Sequence, residues 1–251
     1  MKQLYEIILA SGSPRRRELL SQAGLRFLVR TTDVDETPTE TEPAKVVEEL
    51  SRRKAGAVAA MLGAEVAEAT GETPDRMEVT GKEAVGAAAG GITGFSENAP
   101  QLVVAADTIV ALDGEILGKP KDAADAVRML RELSGRTHEV YTGVTIRRMG
   151  TAAPGLNTAR GGSAGAGFPE TVVFSACTRV TFYPLTEAEI LDYVDSGEPL
   201  DKAGSYGIQG IGERLVERIE GDYNNVVGFP LSAFLRILAE YGGISYGDGR
   251  K

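Results

Sequence analysis

A short turn near the start of the sequence combines small residues with basic ones. Residues 11–16 read Ser-Gly-Ser-Pro-Arg-Arg and stand where a helix is predicted to begin. Backbone N–H groups at such a turn bind anions, and arginines in a first helical turn oppose the helix dipole unless an anion is nearby. We therefore predict a phosphate site at Ser11, Arg15 and Arg16. The alternative is a solvated basic turn whose arginines pair with surface acids.

An acid interrupts the strongest strand pattern in the chain. Asp107 lies between the apolar runs LVVAA and IVAL, and Thr108 beside it offers a hydroxyl. Because an unpaired ionised carboxylate inside a sheet is costly, we expect Asp107 to be paired, to bind a metal or to face a cleft. The alternative is an Asp at a strand end that caps a neighbouring turn.

Two lysines adjoin the ends of predicted strands. Lys54 lies on the apolar stripe of a predicted helix, and Lys119 follows a predicted hairpin. Each lysine taken singly is expected to extend its ammonium to water. Taken together with the two arginines of the first turn, the lysines indicate a convergent site for a polyphosphate.

Further acids and a glycine-rich loop complete the candidate site. Asp35 and Glu36 end a predicted strand, and with Asp107 they can hold a divalent ion through oxygen ligands, unless they are simply solvated. Residues 198–212 form a loop whose glycines permit close backbone approach, and Gln209 within it can read a base edge as both donor and acceptor. The neighbouring Asp201 and Lys202 are also compatible with a local surface ion pair.

The single histidine and the single cysteine exclude several kinds of site. They permit neither a Cys/His zinc cage nor an intramolecular disulfide. No nucleophile motif surrounds His138, which we interpret as a structural or surface residue. Cys177 lies in an alternating strand pattern and is predicted to be a core thiol.

Strand and helix patterns alternate along the chain and must position these residues. Strands are predicted at residues 6–10, 27–37, 101–112, 115–117, 138–148, 170–184 and 214–219, with a hairpin turn at Asp113-Gly114. Helices are predicted from Pro14 to Gly24 and over residues 43–62, 121–135, 186–197 and 230–241, with Asp122 as an N-cap and a capping box at Thr186 and Glu189. This mixture predicts an α/β sandwich with a partly antiparallel sheet.

Composition sets the class and the domain organisation. The chain has 251 residues, 42% of them hydrophobic, and a net charge of −9. It reads as one globular domain without a membrane span or signal peptide, which predicts a cytoplasmic protein. Its acidic balance argues against broad nucleic-acid binding. Residues 63–100 and 149–169 are rich in glycine and alanine, and we interpret them as inserted flexible segments.

Four motifs then occur in order along the chain: ILASGSPRRRELL, VVAADTIVALDGEILGKP, LSGRTHEVYTGV and SGEPLDKAGSYGIQGIG. Together they resemble the Maf family of nucleoside triphosphate pyrophosphatases, outside the two inserted segments and the tail. The resemblance implies one domain of two lobes with a central cleft, a fold similar to that of inosine triphosphatase, and a homodimer. It also implies hydrolysis of a nucleoside triphosphate to the monophosphate and pyrophosphate, with Mg²⁺ or Mn²⁺.

The resemblance further assigns roles by position. Asp107 matches the proposed proton acceptor, and Glu36 matches an acid at the site. We predict Asp107 and Glu36 as the metal ligands. Positions that contact phosphate or are polar match Ser11, Arg15, Arg16, Lys54 and Lys119. We hypothesise that Asp107 orients or deprotonates a water attacking the α-phosphorus, while Lys119 or Lys54 stabilises the pyrophosphate leaving group.

The resemblance also favours one branch of the family. Arg16, Thr108 and Gln209 match the branch that acts on dTTP and UTP, whereas the 7-methyl-GTP branch differs at these positions. Two alternatives remain open at this point. One is a nucleotide-binding regulator of septum formation that does not hydrolyse its ligand, and the other is a pyrophosphatase for modified purine or cytidine nucleotides.

Overall fold

A seven-stranded mixed sheet forms the centre of the molecule. The computed structural model describes residues 1–70, 100–150 and 168–246. The strands are β1 (Lys2–Gln3), β2 (Glu6–Leu9), β3 (Phe27–Val29), β4 (Gln101–Leu112), β5 (Glu115–Leu117), β6 (Thr137–Met149), β7 (Thr171–Phe182), β8 (Val216–Glu220) and β9 (Ile244–Ser245). The helices are α1 (Pro14–Gln22), α2 (Pro43–Thr70), α3 (Ala123–Leu133), α4 (Glu187–Asp195), α5 (Tyr223–Val227) and α6 (Leu231–Glu240).

The sheet is parallel on one side and antiparallel on the other. Its strand order is β3-β2-β4-β6-β7-β8, and β5 returns along β4 as a hairpin. Strands β3, β2 and β4 run parallel, whereas β4, β6, β7 and β8 alternate in direction. The remaining strands, β1 and β9, pair separately. The predicted α/β class with a mixed sheet is therefore confirmed.

The hairpin from β4 to β5 has the predicted turn. Asp113 and Gly114 both have positive φ, 52° and 85°. This is the backbone twist of the two-residue turns that join antiparallel strands, and Asp-Gly adopts it at low cost. The turn places the segment that carries Lys119 beside the end of β4.

Helix α2 packs closely across one face of the sheet. Its Ala55, Val58 and Ala59 contact small and branched residues of β2 and β4. At the crossing with β6, a Cβ on Gly143 would lie 2.3 Å from the carbonyl oxygen of Val47. Only glycine permits this approach, which holds the buried face of α2 against the strand that pairs with β4.

Two further apolar clusters cover the rest of the sheet. The larger one joins α1, α5 and α6 to the opposite face, with Leu20, Phe229 and Phe234 fully buried. The second joins α3 and α4 to the edge of the sheet where β4 ends, β6 begins and β7 ends. Helix α3 begins at the predicted N-cap, where Asp122 Oδ1 accepts from the amide of Asp125 at 2.8 Å. The predicted capping box of Thr186 and Glu189 opens α4.

Several predicted boundaries were wrong. The strand predicted at 27–37 is limited to Phe27–Val29, because only these residues pair with β2. The helix predicted to end at Leu62 continues to Thr70, since Ala and Glu there favour a helix even without an apolar stripe. Met149 belongs to β6, and the short elements α5 and β9 were not predicted. The other residues of the two predicted insertions, 71–99 and 151–167, lie outside the described residues.

The structure also tests the predictions for Cys177, His138 and a membrane span. Cys177 was predicted to be a core thiol but is exposed, because it shares the outward side of β7 with Arg179 while Thr178 and Val180 point inward. His138 is buried, as the structural interpretation predicted. Of the helices in the described ranges, none is long and apolar enough to cross a membrane.

Candidate active site

A single large cleft collects the predicted site residues. It has a volume of about 1460 Å³ and lies between the start of α1, the segment 31–38, α2, β4 and the glycine-rich loop 198–210. Its lining includes every residue predicted for the site: Ser11, Arg15, Arg16, Glu36, Lys54, Asp107, Thr108, Lys119 and Gln209. Parts of the chain that are distant in sequence therefore meet in one cavity, as the predicted polyphosphate site requires.

Lys54 joins the two predicted carboxylates. Its Nζ lies 2.5 Å from Asp107 Oδ1 and 2.8 Å from Glu36 Oε1. The side chains of Lys54 and Asp107 are only 18% and 12% exposed, whereas Glu36 is 59% exposed. The hydrogen bond from Lys54 is the main reason why the pKa of Glu36 lies below its ordinary value. The lysine of the apolar stripe thus bonds a carboxylate in the sheet instead of extending into bulk water.

Arg16 is fixed by three hydrogen bonds at the wall of the cleft. Its Nε donates to the carbonyl of Gly228 at 2.8 Å, Nη1 donates to Ser11 Oγ at 3.1 Å, and Nη2 donates to Thr108 Oγ1 at 3.0 Å. Burial is the main cause that lowers the pKa of Arg16, and the charge of Asp107 opposes it. A guanidinium has five N–H groups, so two remain available to a ligand.

The Ser11 hydroxyl is placed to donate a hydrogen bond to a ligand. Its oxygen accepts from Arg16 Nη1 and, at 3.3 Å, from the amide of Ser13. In the described part of the chain, the Ser11 hydroxyl has no protein acceptor. A hydroxyl that accepts twice and still holds its proton is a donor for an anionic oxygen.

Three predicted residues line the cleft without touching the rest of the site. The side chains of Arg15, Lys119 and Gln209 make no hydrogen bond or ion pair with other described residues, and the two cations act at longer range. The charge of Lys119 contributes to the lowered pKa of Glu36, and that of Arg15 contributes to the lowered pKa of Asp201. These side chains supply cationic and amide groups at the rim of the cleft.

The predicted set of three acids is reduced to two. Asp35 lines the cleft, but its carboxylate accepts from the amide of Thr37 at 2.8 Å rather than from Lys54. Over residues 1–70, 100–150 and 168–246, no group of three or more His, Cys, Asp or Glu residues is placed to hold a metal ion. The carboxylates that converge are Asp107 and Glu36, which meet at the Lys54 ammonium.

Glu198 organises the glycine-rich loop and was not predicted. Its carboxylate accepts from the Tyr193 hydroxyl at 2.9 Å and from the amides of Ile211 and Gly212 at 3.0 and 3.1 Å. These bonds tie the residues that follow Gln209 back to the start of the loop. A polar residue beside several glycines was the available signal, because loop amides need an acceptor once the loop packs against the fold.

The Asp201–Lys202 pair and His138 have other roles. The predicted local pair forms between Lys202 Nζ and Asp201 Oδ1 at 2.7 Å. His138 lies outside the cleft lining and shares a 2.8 Å hydrogen bond with the Tyr206 hydroxyl. Burial lowers the pKa of His138 to about 3, which keeps the imidazole neutral at ordinary pH.

A mixed sheet flanked by helices, with a cleft lined by both basic and acidic side chains that include the Lys54–Asp107 pair, defines a protein that binds and acts on phosphorylated small molecules. The comparison with family models makes this specific. The model of the Maf-like proteins matches residues 6–241, and the chain belongs to the Maf family.

The chain is also similar over nearly its whole length to several proteins that are named dTTP/UTP pyrophosphatase. It is 41% identical over 241 residues to the dTTP/UTP pyrophosphatase of Deinococcus radiodurans, covering 96% of this chain and 95% of the relative. It is 43% identical over 246 residues to that of Agathobacter rectalis, covering 95% and 98%. For the Bacillus cereus AH820 protein of the same name the identity is 40% over 239 residues, covering 95% and 96%.

Proposed function

We propose that this Maf-family chain hydrolyses dTTP and UTP to the nucleoside monophosphate and pyrophosphate. The observation that carries the proposal is the placement of a buried carboxylate, Asp107, in the same cleft as the four predicted cationic side chains. The named activity of the similar proteins supports the choice of substrate. The volume of about 1460 Å³ accommodates a nucleoside triphosphate.

Asp107 is the group best placed to accept a proton. Lys54 donates to one of its oxygens, which orients the carboxylate in the cleft. We assign Asp107 the role of orienting a water and taking its proton as the water attacks the α-phosphorus. Lys54 stays beside Asp107 through this step and stabilises negative charge that develops nearby.

The remaining side chains bind and orient the triphosphate. Ser11 donates its free proton to a phosphate oxygen, and Arg16 offers its two unused N–H groups. Lys119 and Arg15 at the rim neutralise the charge of the pyrophosphate leaving group. Such positioning and neutralisation provide most of the catalysis in phosphoryl-type substitution.

The carboxylates also fit a divalent cation. Asp107 and Glu36 both direct an oxygen at the Lys54 ammonium, so the pair already faces one positive charge. Mg²⁺ is commonly held by one or two carboxylates together with substrate phosphates, and Asp107 and Glu36 would supply the protein ligands. When bound, Mg²⁺ or Mn²⁺ neutralises charge on the phosphates and lowers the pKa of a bound water.

We assign base recognition to a second group of side chains in the same cleft, which shares Arg16 with the phosphate site. Thr108 and Gln209 line the cleft, and Arg16 touches Thr108 directly. These three side chains match the pattern of the branch that acts on dTTP and UTP. The dimeric state, the cytoplasmic location and the absence of nucleic-acid binding stay predictions of the sequence.

A substrate panel in isotopically labelled water tests the proposal. The purified chain with Mg²⁺ or Mn²⁺ is offered dTTP, UTP, CTP and 7-methyl-GTP, and the products are separated by ion exchange. We expect dTTP and UTP to be used best, with heavy oxygen in the monophosphate because water attacks the α-phosphorus. Heavy oxygen in pyrophosphate, release of inorganic phosphate, or binding without hydrolysis would each refute it. A preference for CTP or 7-methyl-GTP would refute the assigned substrate class.

A further inference from the structure

A buried hydroxyl on β6 supports the Arg16–Thr108 contact from behind. Thr142 is completely buried and lies directly opposite Thr108 in the pairing of β4 with β6. The two hydroxyl oxygens are 2.9 Å apart, and Thr142 Oγ1 is 3.0 Å from the carbonyl oxygen of Asn225 in the middle of α5. Thr142 itself is not part of the cleft lining.

Proton counting gives this chain of contacts a direction. A threonine hydroxyl has one proton. The Asn225 carbonyl can only accept, so the Thr142 proton goes to Asn225. The 2.9 Å contact therefore takes the proton of Thr108, and the Thr108 oxygen accepts from Arg16 Nη2. The reverse arrangement would send the Thr108 proton to the Gly228 carbonyl at 3.4 Å, which is long for an O–H donor.

The far end of the chain of contacts is firmly attached. Asn225 Nδ2 donates to the carbonyl of Val140 at 2.9 Å and to Thr178 Oγ1 at 3.1 Å. Asn225 is completely buried, so α5 is anchored to both β6 and β7. The same helix leads directly into Gly228, whose carbonyl receives Arg16 Nε.

We propose that Thr142 is a positioning residue for substrate selection: by taking the Thr108 proton, it leaves Thr108 an acceptor for Arg16 and leaves the Gly228 carbonyl to Arg16 alone. Without the Thr142 hydroxyl, the Thr108 proton turns to the Gly228 carbonyl and competes with Arg16 Nε for it. The orientation of the guanidinium is then lost. This inference deepens the proposed function and rests on it for its kinetic consequence.

The first test replaces the hydroxyl with a methyl group of the same shape. Thr142→Val should raise the KM for dTTP about tenfold and leave kcat within about twofold, because a hydrogen bond that orients a binding group acts on ground state and transition state alike. The preference for dTTP over CTP should fall with it. Thr142→Ser retains the hydroxyl and should restore the KM.

Thr145→Val is the matched control. Thr145 is also buried on β6, but it lies on the other side of the strand, where its hydroxyl bonds to Ser51 of α2 at 2.9 Å. The Thr145→Val variant loses one buried hydrogen bond and should keep the wild-type KM. An equal rise of KM in Thr145→Val, or an unchanged KM in Thr142→Val, overturns the proposal.

A second measurement does not depend on hydrolysis. The NMR signal of the Arg16 Nε–H, assigned through its loss in Arg16→Lys, reports how long that proton stays bonded. Its exchange with water should be about tenfold faster in Thr142→Val than in wild type or Thr145→Val. If the wild-type chain hydrolyses no nucleotide but the Arg16 Nε–H exchanges faster in Thr142→Val, the proposed function is refuted and the positioning role is supported. Unchanged exchange refutes the positioning role. Thr142→Ala replaces Thr142→Val if the latter does not fold.

Discussion

Lys54 of α2 donates to Asp107 of β4 across 2.5 Å, with little solvent around either side chain. The two residues are 53 positions apart, and their contact depends on how closely the helix lies on the sheet. The glycine at position 143 permits that approach. The Lys54–Asp107 ion pair therefore depends on the close packing of α2 against the sheet. The ion pair and the packing can each be tested by substitution.

Asp107→Asn removes the proton acceptor and keeps the shape. Turnover of dTTP should fall about 10²- to 10⁴-fold, the usual contribution of a general base, while the thermal unfolding temperature changes little because Lys54 keeps Glu36 as a partner. Steady-state kinetics and calorimetry measure the two effects. Asp113→Asn is the control, since Asp113 is an exposed turn residue of the same strand end and its carboxylate pairs with Arg136, away from the Lys54 contact. Full activity in Asp107→Asn removes the assigned role.

Lys54→Met leaves two carboxylates without their shared cation. Activity should fall about 10²-fold, as when one preorganised donor is lost. Lys45→Met, on the exposed side of the same helix, should retain activity, because Lys45 pairs with Glu48 and lies outside the cleft lining. Comparable losses in the two variants would show that the helix charge, and not the contact with Asp107, is responsible.

The same lysine variant has a predictable pH dependence. The folded-state pKa of Glu36 is lowered from 4.5, mainly by Lys54. Its contribution to stability is thus present above pH 4.5 and is lost as the pH falls through the lower folded value. The difference in unfolding free energy between wild type and Lys54→Met should narrow on acidification below that pH. A difference that widens in urea titrations would contradict this sign.

Gly143→Ala should separate α2 from β6. The new Cβ would lie 2.3 Å from the Val47 carbonyl oxygen, and such overpacking costs about 1–3 kcal/mol. Because α2 carries Lys54, activity should fall as well. Gly63→Ala is the matched control in open space on α2, and it should stabilise the chain by about 0.5–1 kcal/mol through helix propensity. Denaturant unfolding that gives the same sign for both variants would contradict the close approach.

His138 should make wild-type stability sensitive to mild acid. Its folded pKa is about 3 because of burial, whereas an unfolded histidine has a pKa of about 6.5. The unfolded chain therefore binds the extra proton first, and stability falls by about 2 kcal/mol between pH 7 and pH 5 from this group. His138→Gln should lack that part of the decrease. Parallel stability profiles for the two proteins would exclude the buried neutral imidazole.

Local patterns predicted the elements that carry the site, because each has a strong signal of its own. The apolar run around Asp107 could only be a buried strand, and an acid within it needed a partner. Lys54 on an apolar stripe gave the other half of the pair. The two residues were predicted separately, yet their direct contact was not, since one-dimensional periodicity contains no information on which helix crosses which strand.

The missed residues are those whose role depends on tertiary neighbours. The Gly228 carbonyl carries no side-chain signal, and Thr142 looks like an ordinary strand threonine until Thr108 is placed opposite it. Cys177 was misplaced because strand alternation alone does not say which side is inward. The charged Arg179 two positions later was the local clue to that side.

The bond between Arg16 and Gly228 joins residues 212 positions apart. The chain leaves the ribosome with its N-terminus first. Arg16 therefore emerges long before Gly228, whose carbonyl orients it. The nascent protein consequently carries the basic turn of the cleft without a formed nucleotide site. The cleft is therefore complete only once Gly228 has been synthesised and its carbonyl has met Arg16.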